Sequence, residues 1–254
     1  MSNQKEIYIL GINGSPRNYG GTYKLLKIAL KAAENEGAKV RMYNLYEMDI
    51  KPCIGCLCDI QEACRYPCVI DDDMNRLYKD ILAADGLIIA TPIFWYSPSG
   101  PTKNFIDRLT VFENMIFITG RSWVEGKVCG LIAVGNDSGS IMVLSNLMIT
   151  LNSMGFIIPP FAIAYYTETG DVLEKDSTVY DAYNVGRNVV LMAKIVKEFK
   201  SVWYVHKEVE KTIIKLKKLI NEEARENASK VRSERYKVIT KLLRNYNANR
   251  DTSI

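Results

Sequence analysis

The chain has 254 residues, 48% of them hydrophobic, and a formal net charge of +4. A chain of this length and composition can bury one large core without disulfide bridges or a structural metal. The excess positive charge lies in residues 201–254, which contain thirteen lysines and arginines against seven acidic residues. Acidic and basic residues are interleaved there without a nucleic-acid-binding motif, so we expect no nucleic-acid partner.

The sequence also indicates where the protein resides. The first residues, MSNQKEIYILG, lack the basic region, apolar stretch and cleavage site of a secretion signal. The most apolar region, residues 141–166, is interrupted by polar residues and by Pro159 and Pro160, so it is too broken to span a membrane. We therefore expect a cytoplasmic protein without a membrane partner.

Strand and helix patterns alternate along residues 5–199. Short apolar runs predict the strands, and apolar residues at helical spacing predict the helices between them. The predicted strands are Lys5–Gly11, Ala38–Leu45, Gly86–Thr91, Lys127–Gly135 and Phe156–Tyr165. The predicted helices are Thr22–Glu36, Met74–Ala84, Thr102–Glu113, Ser140–Met154 and Ser177–Phe199.

Five strand–helix units predict an α/β fold with a doubly wound parallel sheet covered on both faces. Right-handed crossovers leave two common strand orders, the six-stranded dinucleotide order and the five-stranded flavodoxin-like order 2-1-3-4-5. The number of units favours the flavodoxin-like order. In either order, the loops after the first, third and fourth strands meet at the carboxyl edge of the sheet, where ligands bind.

The composition changes after Phe199. Residues 200–254 are rich in charge and nearly free of glycine and proline, which predicts a C-terminal helical extension. It contains two apolar stripes at heptad-like spacing, separated by a polar break at residues 222–229. We therefore divide the chain into a domain of residues 1–199 and this extension. The extension contains the only histidine, His206, for which we expect a surface or interface position.

Residues 11–22, GINGSPRNYGGT, join the first strand to the first helix. Backbone N–H groups and the helix dipole attract an anion at such a junction, and Ser15 and Thr22 add hydroxyl donors. The loop lacks the lysine of a GxxxxGK[ST] loop and the spacing of a GxGxxG motif. It therefore favours a phosphomonoester over a nucleoside triphosphate or a dinucleotide. An ordinary glycine-bearing turn is the alternative.

Two further loops reach the same edge. Residues 91–100, TPIFWYSPSG, follow the third strand and carry three consecutive aromatic residues. A flat heteroaromatic ligand would stack on these rings, and the alternative is a hydrophobic subunit interface. The loop after the fourth strand offers backbone donors and small side chains to a polar ring edge at Asn136, Ser138 and Gly139. Together the loops indicate a ligand with a phosphate and a planar ring.

Cysteines are concentrated in residues 53–68, which contain five of the six: Cys53, Cys56, Cys58, Cys64 and Cys68. Thiolates bind zinc or iron–sulfur clusters, and in a reducing compartment such a concentration favours a metal over disulfide bridges. The segment follows the second strand, so we expect it to open on the same edge of the sheet. The sixth cysteine, Cys129, lies within an apolar strand and is expected in the core.

These segments resemble the NADPH-dependent FMN reductase superfamily, and specifically its iron–sulfur flavoprotein branch. The resemblance covers about residues 5–199 and rests on GINGSPRNYGGT, TPIFWYSPSGPTKNFIDRL and the cysteine segment between them. It implies FMN as a cofactor. It also implies that the phosphate is held by Ser15, Arg17, Asn18 and Thr22, and that the isoalloxazine ring is bordered by Pro92, Ile93, Phe94 and Trp95.

The resemblance further implies a 4Fe-4S cluster, which that family binds through a compact four-cysteine motif after the second strand. The last cysteine of the motif precedes an acidic stretch ending in Asp-Met, as Cys68 does here. The usual motif places two residues between its first three cysteines, whereas one residue separates Cys56 from Cys58. We predict Cys53, Cys56, Cys64 and Cys68 as the four ligands. Cys58 is left out because binding by both Cys56 and Cys58 would require a tight turn, and it is the reserve ligand if one of the four does not bind. Zinc in an all-thiolate site is the alternative.

The predicted function is that of an FMN-containing oxidoreductase. It would transfer electrons from a reduced donor such as NAD(P)H, through FMN and the cluster, to a small-molecule or redox-protein acceptor. The resemblance implies a homodimer or homotetramer in which the cluster of one subunit faces the flavin of another. The alternatives are an NAD(P)H:FMN or quinone reductase without a working cluster, a flavodoxin-like electron carrier, and a zinc-stabilised interaction module. No catalytic acid or base is assigned.

Overall fold

The computed structural model describes residues 6–199, 201–205 and 207–251. Lys5, the first residue of the predicted first strand, and His206 therefore lie outside the described residues. The chain forms two compact units that divide between Trp203 and Tyr204.

The first unit is an α/β domain. Its strands are β1 (Ile7–Asn13), β2 (Ala38–Asn44), β3 (Gly86–Phe94), β4 (Ser97–Pro98), β5 (Val128–Val134) and β6 (Ile163–Tyr166). Its helices are α1 (Gly21–Asn35), α2 (Met74–Ala83), α3 (Gly100–Arg108), α4 (Thr110–Glu113), α5 (Met115–Thr119), α6 (Ser140–Ser153) and α7 (Asp176–Glu198).

The sheet has the strand order that the sequence predicts. Five parallel strands follow the order β2-β1-β3-β5-β6, and the two-residue β4 pairs antiparallel with the end of β3. Counted along the chain, the parallel strands take the order 2-1-3-4-5, so the flavodoxin-like prediction is confirmed. The order reverses between β1 and β3, which creates a crevice at their carboxyl ends.

Apolar residues are buried on both faces of the sheet. One face packs against α2, α3 and α6 through residues such as Tyr78 and Phe105, and the other packs against α1 and α7 through residues such as Leu25 and Val189. Because both faces are covered, the central strands are nearly continuous apolar runs rather than alternating ones. Cys129 is fully buried in β5, as expected.

Two predicted elements differ from the structure by more than shifted ends. The predicted helix Thr102–Glu113 is divided into α3 and α4, which meet at Leu109. The predicted last strand, Phe156–Tyr165, is shortened to β6, and before it residue 157 forms only an isolated bridge with Val128. The pair Pro159 and Pro160 explains this difference, because proline has no N–H to donate to a sheet.

Gly14 lies where the loop after β1 meets α3. A Cβ atom at this position would lie 1.9 Å from the Thr102 Oγ1 and 3.2 Å from the Ala90 carbonyl oxygen. We expect Gly14→Ala to lower the free energy of unfolding by about 1–3 kcal/mol, because it overpacks this contact. Gly100→Ala is the matched control, since nothing lies within 4 Å of its added Cβ. Urea unfolding of FMN-free protein measures both, and equal midpoints would contradict the packing argument.

The second unit contains α8 (Glu210–Asp251), a helix of 42 residues. The polar residues 222–229, which separate the two apolar stripes, are part of this helix, as the predicted helical extension requires. This segment contains glutamate, alanine and arginine, which are good helix formers, and neither glycine nor proline. In the described part of the chain, no helix is both long and apolar enough to cross a membrane.

Candidate functional site

A cavity of about 400 Å³ opens at the carboxyl edge of the sheet. This volume lies within the range of pockets for small ligands and cofactors, about 300–1,000 Å³. The loops after β1, β3 and β5 contribute to its walls, as the sequence predicts. Seven of the predicted cofactor residues line it: Ser15, Arg17, Thr22, Pro92, Ile93, Phe94 and Asn136.

One end of the cavity is suited to a phosphate. Helix α1 begins after Gly20, and no side chain caps its first turn. The first N–H groups of a helix need acceptors, and an anion satisfies them while also meeting the positive end of the helix dipole. Ser15 and Thr22 are buried beside this turn, and the Ser15 Oγ accepts a hydrogen bond of 3.1 Å from the Arg17 N–H. This arrangement fits the phosphate of FMN.

The carboxyl end of β3 forms another wall. Pro92, Ile93 and Phe94 line the cavity, whereas Trp95 does not. Trp95 is 93% exposed, and both Trp95 and Tyr96 have positive φ angles, 50° and 62°. Such backbone is costly for bulky residues and is concentrated at functional sites. The apolar wall of the cavity is thus made by Ile93 and Phe94, and the adjoining aromatic residues face outward from the domain.

Four predicted cofactor residues lie outside the cavity lining: Asn18, Trp95, Ser138 and Gly139. The Asn18 Nδ2 instead donates to the Glu47 Oε1 at 3.2 Å, which ties the loop after β1 to the segment after β2. Gly139 has a φ angle of 93° and precedes α6, where an added Cβ would lie 2.8 Å from the Tyr96 Cδ1. The contact of these four residues with a cofactor stays a prediction.

The end of β6 and the loop after it also line the cavity, and this wall was missed in the sequence. It contains Tyr166, Glu168, Thr169, Gly170 and Val172. Only the loops after the first, third and fourth strands were predicted to reach the site. The polar run TETGD after Tyr166 is the same kind of signal, a turn at the carboxyl end of a strand, and could have indicated this wall.

The cysteine segment begins at the same edge of the sheet and then follows α3 and the helices after it. The Asn104 Nδ2 donates to the Ile50 carbonyl at 3.1 Å, and the Asn114 Nδ2 donates to the Cys64 carbonyl at 2.7 Å. Helix α3 rises by about 12 Å between its first and last residues, so the segment extends away from the cavity. None of the five cysteines lines the cavity.

An aromatic contact packs the second half of the segment against the domain. The Tyr66 ring centroid lies 6.1 Å from that of Tyr78, 6.0 Å from that of Phe112 and 5.7 Å from that of Trp123. Aromatic rings at these separations attract each other beyond the effect of the area they bury. Tyr66 therefore fixes the chain between Cys64 and Cys68.

Three thiols lie near that of Cys64. Burial, followed by the neighbouring thiols of Cys56, Cys53 and Cys68, raises the pKa of the Cys64 thiol to about 12. The Cys53 Sγ also accepts a hydrogen bond of 3.5 Å from the backbone N–H of residue 55. Cys58 is exposed and does not contribute to the environment of Cys64. The grouping thus contains the four cysteines that the sequence analysis chose as ligands.

The donor set fits an iron–sulfur cluster, because four soft thiolates are the ligands such a cluster takes. For a single zinc ion, Zn–S bonds of about 2.3 Å place neighbouring sulfurs less than about 4 Å apart. Among the described residues, no three side chains of histidine, cysteine, aspartate or glutamate are arranged to hold a single metal ion. Zinc in an all-thiolate site therefore stays the alternative.

A buried ion pair lies just after the last cysteine of the segment. The Arg108 Nη1 lies 2.6 Å from the Asp72 Oδ2, and their side chains are 1% and 0% exposed. Burial alone would raise the pKa of the Asp72 carboxyl, but hydrogen bonds from Arg108 and from the backbone N–H groups of Lys51 and Met74 hold it below its usual value. Asp72 is therefore a carboxylate at neutral pH and links residues on either side of the cysteines.

Comparison with known proteins decides the family. The sequence profile of the NADPH-dependent FMN reductase family matches residues 7–168 of this chain. The chain belongs to this family of FMN-containing oxidoreductases. It is 29% identical to an iron-sulfur flavoprotein of Methanocaldococcus jannaschii over 197 residues, covering 75% of this chain and 99% of the relative. It is 30% identical to an iron-sulfur flavoprotein of Archaeoglobus fulgidus over 168 residues, covering 66% of this chain and 72% of the relative.

These relatives place the chain in the iron–sulfur flavoprotein branch of the family, as the sequence analysis predicted. Among solved structures, the fold is similar to that of RosB with bound 8-demethyl-8-formylriboflavin-5'-phosphate. The TM-score is 0.65 at 23% identity, covering 76% of this chain and 81% of that one. It is also similar to that of an NADH:FMN oxidoreductase in its apo form, with a TM-score of 0.55 at 23% identity, covering 73% and 89% of the two chains.

The FMN phosphate gives a test of the cavity assignment. We expect Thr22→Val to weaken FMN binding by about 10- to 100-fold, because a hydrogen bond to a charged group contributes about 1.5–3 kcal/mol. The variant keeps the shape of the side chain and removes only its hydroxyl. Riboflavin, which lacks the phosphate, is the matched control ligand and should lose no affinity. Fluorescence titration of apoprotein measures both, and equal losses for FMN and riboflavin would contradict the assignment.

Proposed function

We propose that this FMN-containing oxidoreductase binds a 4Fe-4S cluster through Cys53, Cys56, Cys64 and Cys68 and transfers electrons from NAD(P)H to a small-molecule or redox-protein acceptor. The observation that carries the proposal is that the thiols of Cys53, Cys56 and Cys68 lie near that of Cys64, in the same domain as the FMN cavity. The names of the two relatives, both iron-sulfur flavoproteins, support it.

The residues around the cavity bind and orient the flavin. The uncapped first turn of α1, with Ser15 and Thr22, would hold the phosphate, and Pro92, Ile93 and Phe94 would place the ring and exclude water from one side of it. Flavin accepts a hydride from a nicotinamide and releases electrons singly, and a 4Fe-4S cluster carries one electron at a time.

The residues around the thiols bind and orient the cluster. Asn114 fixes the backbone of Cys64, and Tyr66 packs the chain that leads to Cys68. Cys64 is protonated in the metal-free protein, so cluster binding must displace its proton. Cys58 is exposed and remains the reserve ligand.

The separation of the cysteines from the cavity supports an assembly of subunits. No cysteine lines the cavity, and the Cys64 carbonyl is held by Asn114, which lies between α4 and α5. We expect the cluster of one subunit to face the flavin of another. Trp95, which is 93% exposed beside the cavity, is suited to such a contact. The proposed assembly is a homodimer or homotetramer in the cytoplasm, without a nucleic-acid or membrane partner.

A reductase of free FMN or quinones without a working cluster is the second candidate. It is favoured by one observation: the cavity is complete without any cysteine. Cys53→Ser distinguishes the two functions. If the cluster is the relay, NAD(P)H reduces both the flavin and the cluster of the wild type under anaerobic conditions, seen as loss of flavin absorbance and as the EPR signal of a reduced cluster, whereas Cys53→Ser keeps the flavin reduction and loses the EPR signal. If the wild type shows flavin reduction without this signal, the proposal is wrong and the second candidate stands.

A further inference from the structure

Apolar side chains form a row along one face of α8. The helix continues through the polar residues 222–229, so the two apolar stripes of the extension lie on a single helix. Ile220, Val231 and Leu242 are spaced eleven residues apart, which is about three helical turns, and therefore share a face. Their exposed fractions are 55%, 49% and 63%. A contiguous row of exposed apolar residues marks an interaction surface.

Four further apolar residues belong to this row, which we call the α8 stripe: Ile213, Leu216, Ala224 and Val238. At about 100° per residue, all of them lie within about 40° of Ile220 around the helix axis. The stripe runs for about 44 Å, from Ile213 to Leu242. Its eleven-residue spacing corresponds to about 3.67 residues per turn, so it turns only slowly around a straight helix. A second helix can therefore follow it over most of this length.

The α8 stripe is complementary to itself in the antiparallel direction. With a twofold axis near the middle of the stripe, Ile213 lies opposite Val238 of a second copy, and Ile220 lies opposite Val231. Such a pair buries the apolar residues of each half of the stripe against those of the other half. Asn227 is a polar residue within the stripe, close to this axis. A polar residue at such a position fixes the register and the number of helices that associate.

The charges beside the stripe favour the antiparallel direction. Glu223 and Lys230 lie on the same edge of the stripe, so each Glu223 faces Lys230 of the second copy in an antiparallel pair. The twofold axis makes this contact occur twice. In a parallel pair, Lys230 would instead approach Arg235 on the opposite edge, and the like charges would repel. That opposite edge also carries Lys217, which faces Arg235 in the antiparallel pair and thereby offers a test.

We propose that the α8 stripe binds α8 of a second copy of this chain as an antiparallel helical pair. The profile of the family ends at residue 168, so this contact lies outside the part of the chain that the profile describes. The pair would tether two FMN domains in one assembly and raise the effective concentration of each at the other. The inference goes beyond the proposed function, because the pairing needs neither FMN nor iron.

Photochemical crosslinking of the full-length protein tests the contact. Benzoylphenylalanine is introduced in place of Ile220, and the irradiated protein is separated on a denaturing gel. We expect a covalent dimer in which mass spectrometry locates the crosslink near Val231. The same photoreactive residue in place of Glu222, on the opposite face of α8, is the matched control and should not crosslink to α8 of a second copy. A crosslink within one chain, or one near Ile220 of the second copy, would overturn the inference.

Charge reversal gives a second test without a bulky substituent in the stripe. Lys217→Glu replaces a repulsion with Arg235 of the second copy by an attraction, at two places in the pair. Lys218→Glu makes the same change in net charge on the outward face of α8. We expect Lys217→Glu to self-associate about 4- to 30-fold more tightly than Lys218→Glu in sedimentation experiments. Equal dissociation constants would overturn the antiparallel pairing. Because neither test reads flavin or iron, their failure is distinguishable from failure of the proposed function.

Discussion

Cys64→Ser is expected to abolish iron binding, reducing the iron content from about four atoms per chain to near zero. Cys64 is the cysteine around which the other three predicted ligands are grouped, and its backbone is fixed by Asn114. A serine hydroxyl is a poor substitute for a thiolate, because soft iron–sulfur clusters select soft ligands. The measurement is the iron and sulfide content of anaerobically purified variant, together with its visible spectrum.

Cys58→Ser is the matched control for this experiment. Cys58 is exposed, lies in the same segment and is absent from the group around Cys64. The same chemical change there should leave iron, sulfide and flavin contents at wild-type levels. Loss of iron in Cys58→Ser with retention in Cys64→Ser would show that the ligand set is assigned to the wrong thiols.

Asp72→Asn has the largest expected effect on stability. It removes one partner of a fully buried ion pair and leaves Arg108 as an uncompensated charge. Breaking such a pair from one side costs about 3–5 kcal/mol. We expect a fall of this size in the free energy of unfolding, measured by urea denaturation at pH 7. The exposed pair on α3, between Lys103 and Asp107, offers the control: Asp107→Asn should cost less than about 0.5 kcal/mol.

The difference between wild type and Asp72→Asn should also depend on pH. The pKa of Asp72 is lower in the folded protein than its ordinary value. Its contribution to stability is therefore present above the unfolded pKa of about 3.9 and is lost as the pH falls through the folded pKa. The two proteins should converge in stability below about pH 4. A difference that stays constant from pH 7 into the acid range would contradict this role of the ion pair.

The arrangement of the sheet could be predicted because it follows from local patterns and a few general rules. The apolar runs of β1, β3 and β5 are unambiguous, and right-handed crossovers leave few strand orders. The limits of the last strand were less predictable. Pro159 and Pro160 interrupt an apolar run in which strand and loop have the same composition.

The candidate site was predictable where a loop follows a strand directly. Ser15 and Asn136 lie just beyond the end of a strand and Ile93 lies at the end of one, so topology alone brings them together. The surroundings of the cysteines could not be predicted in this way. Arg108 and Asp72 are 36 residues apart, and their pairing depends on how the cysteine segment packs on α3. Neither a periodicity nor a motif in the sequence indicates such a contact between a loop and a helix.

Our central proposal is that one chain binds both FMN and a 4Fe-4S cluster held by four cysteines. The most direct measurement is a count of FMN, iron, sulfide and zinc per chain in anaerobically purified protein. The account predicts one FMN, four irons and four sulfides, without zinc. Stoichiometric zinc in place of iron, or flavin without any metal, would contradict it.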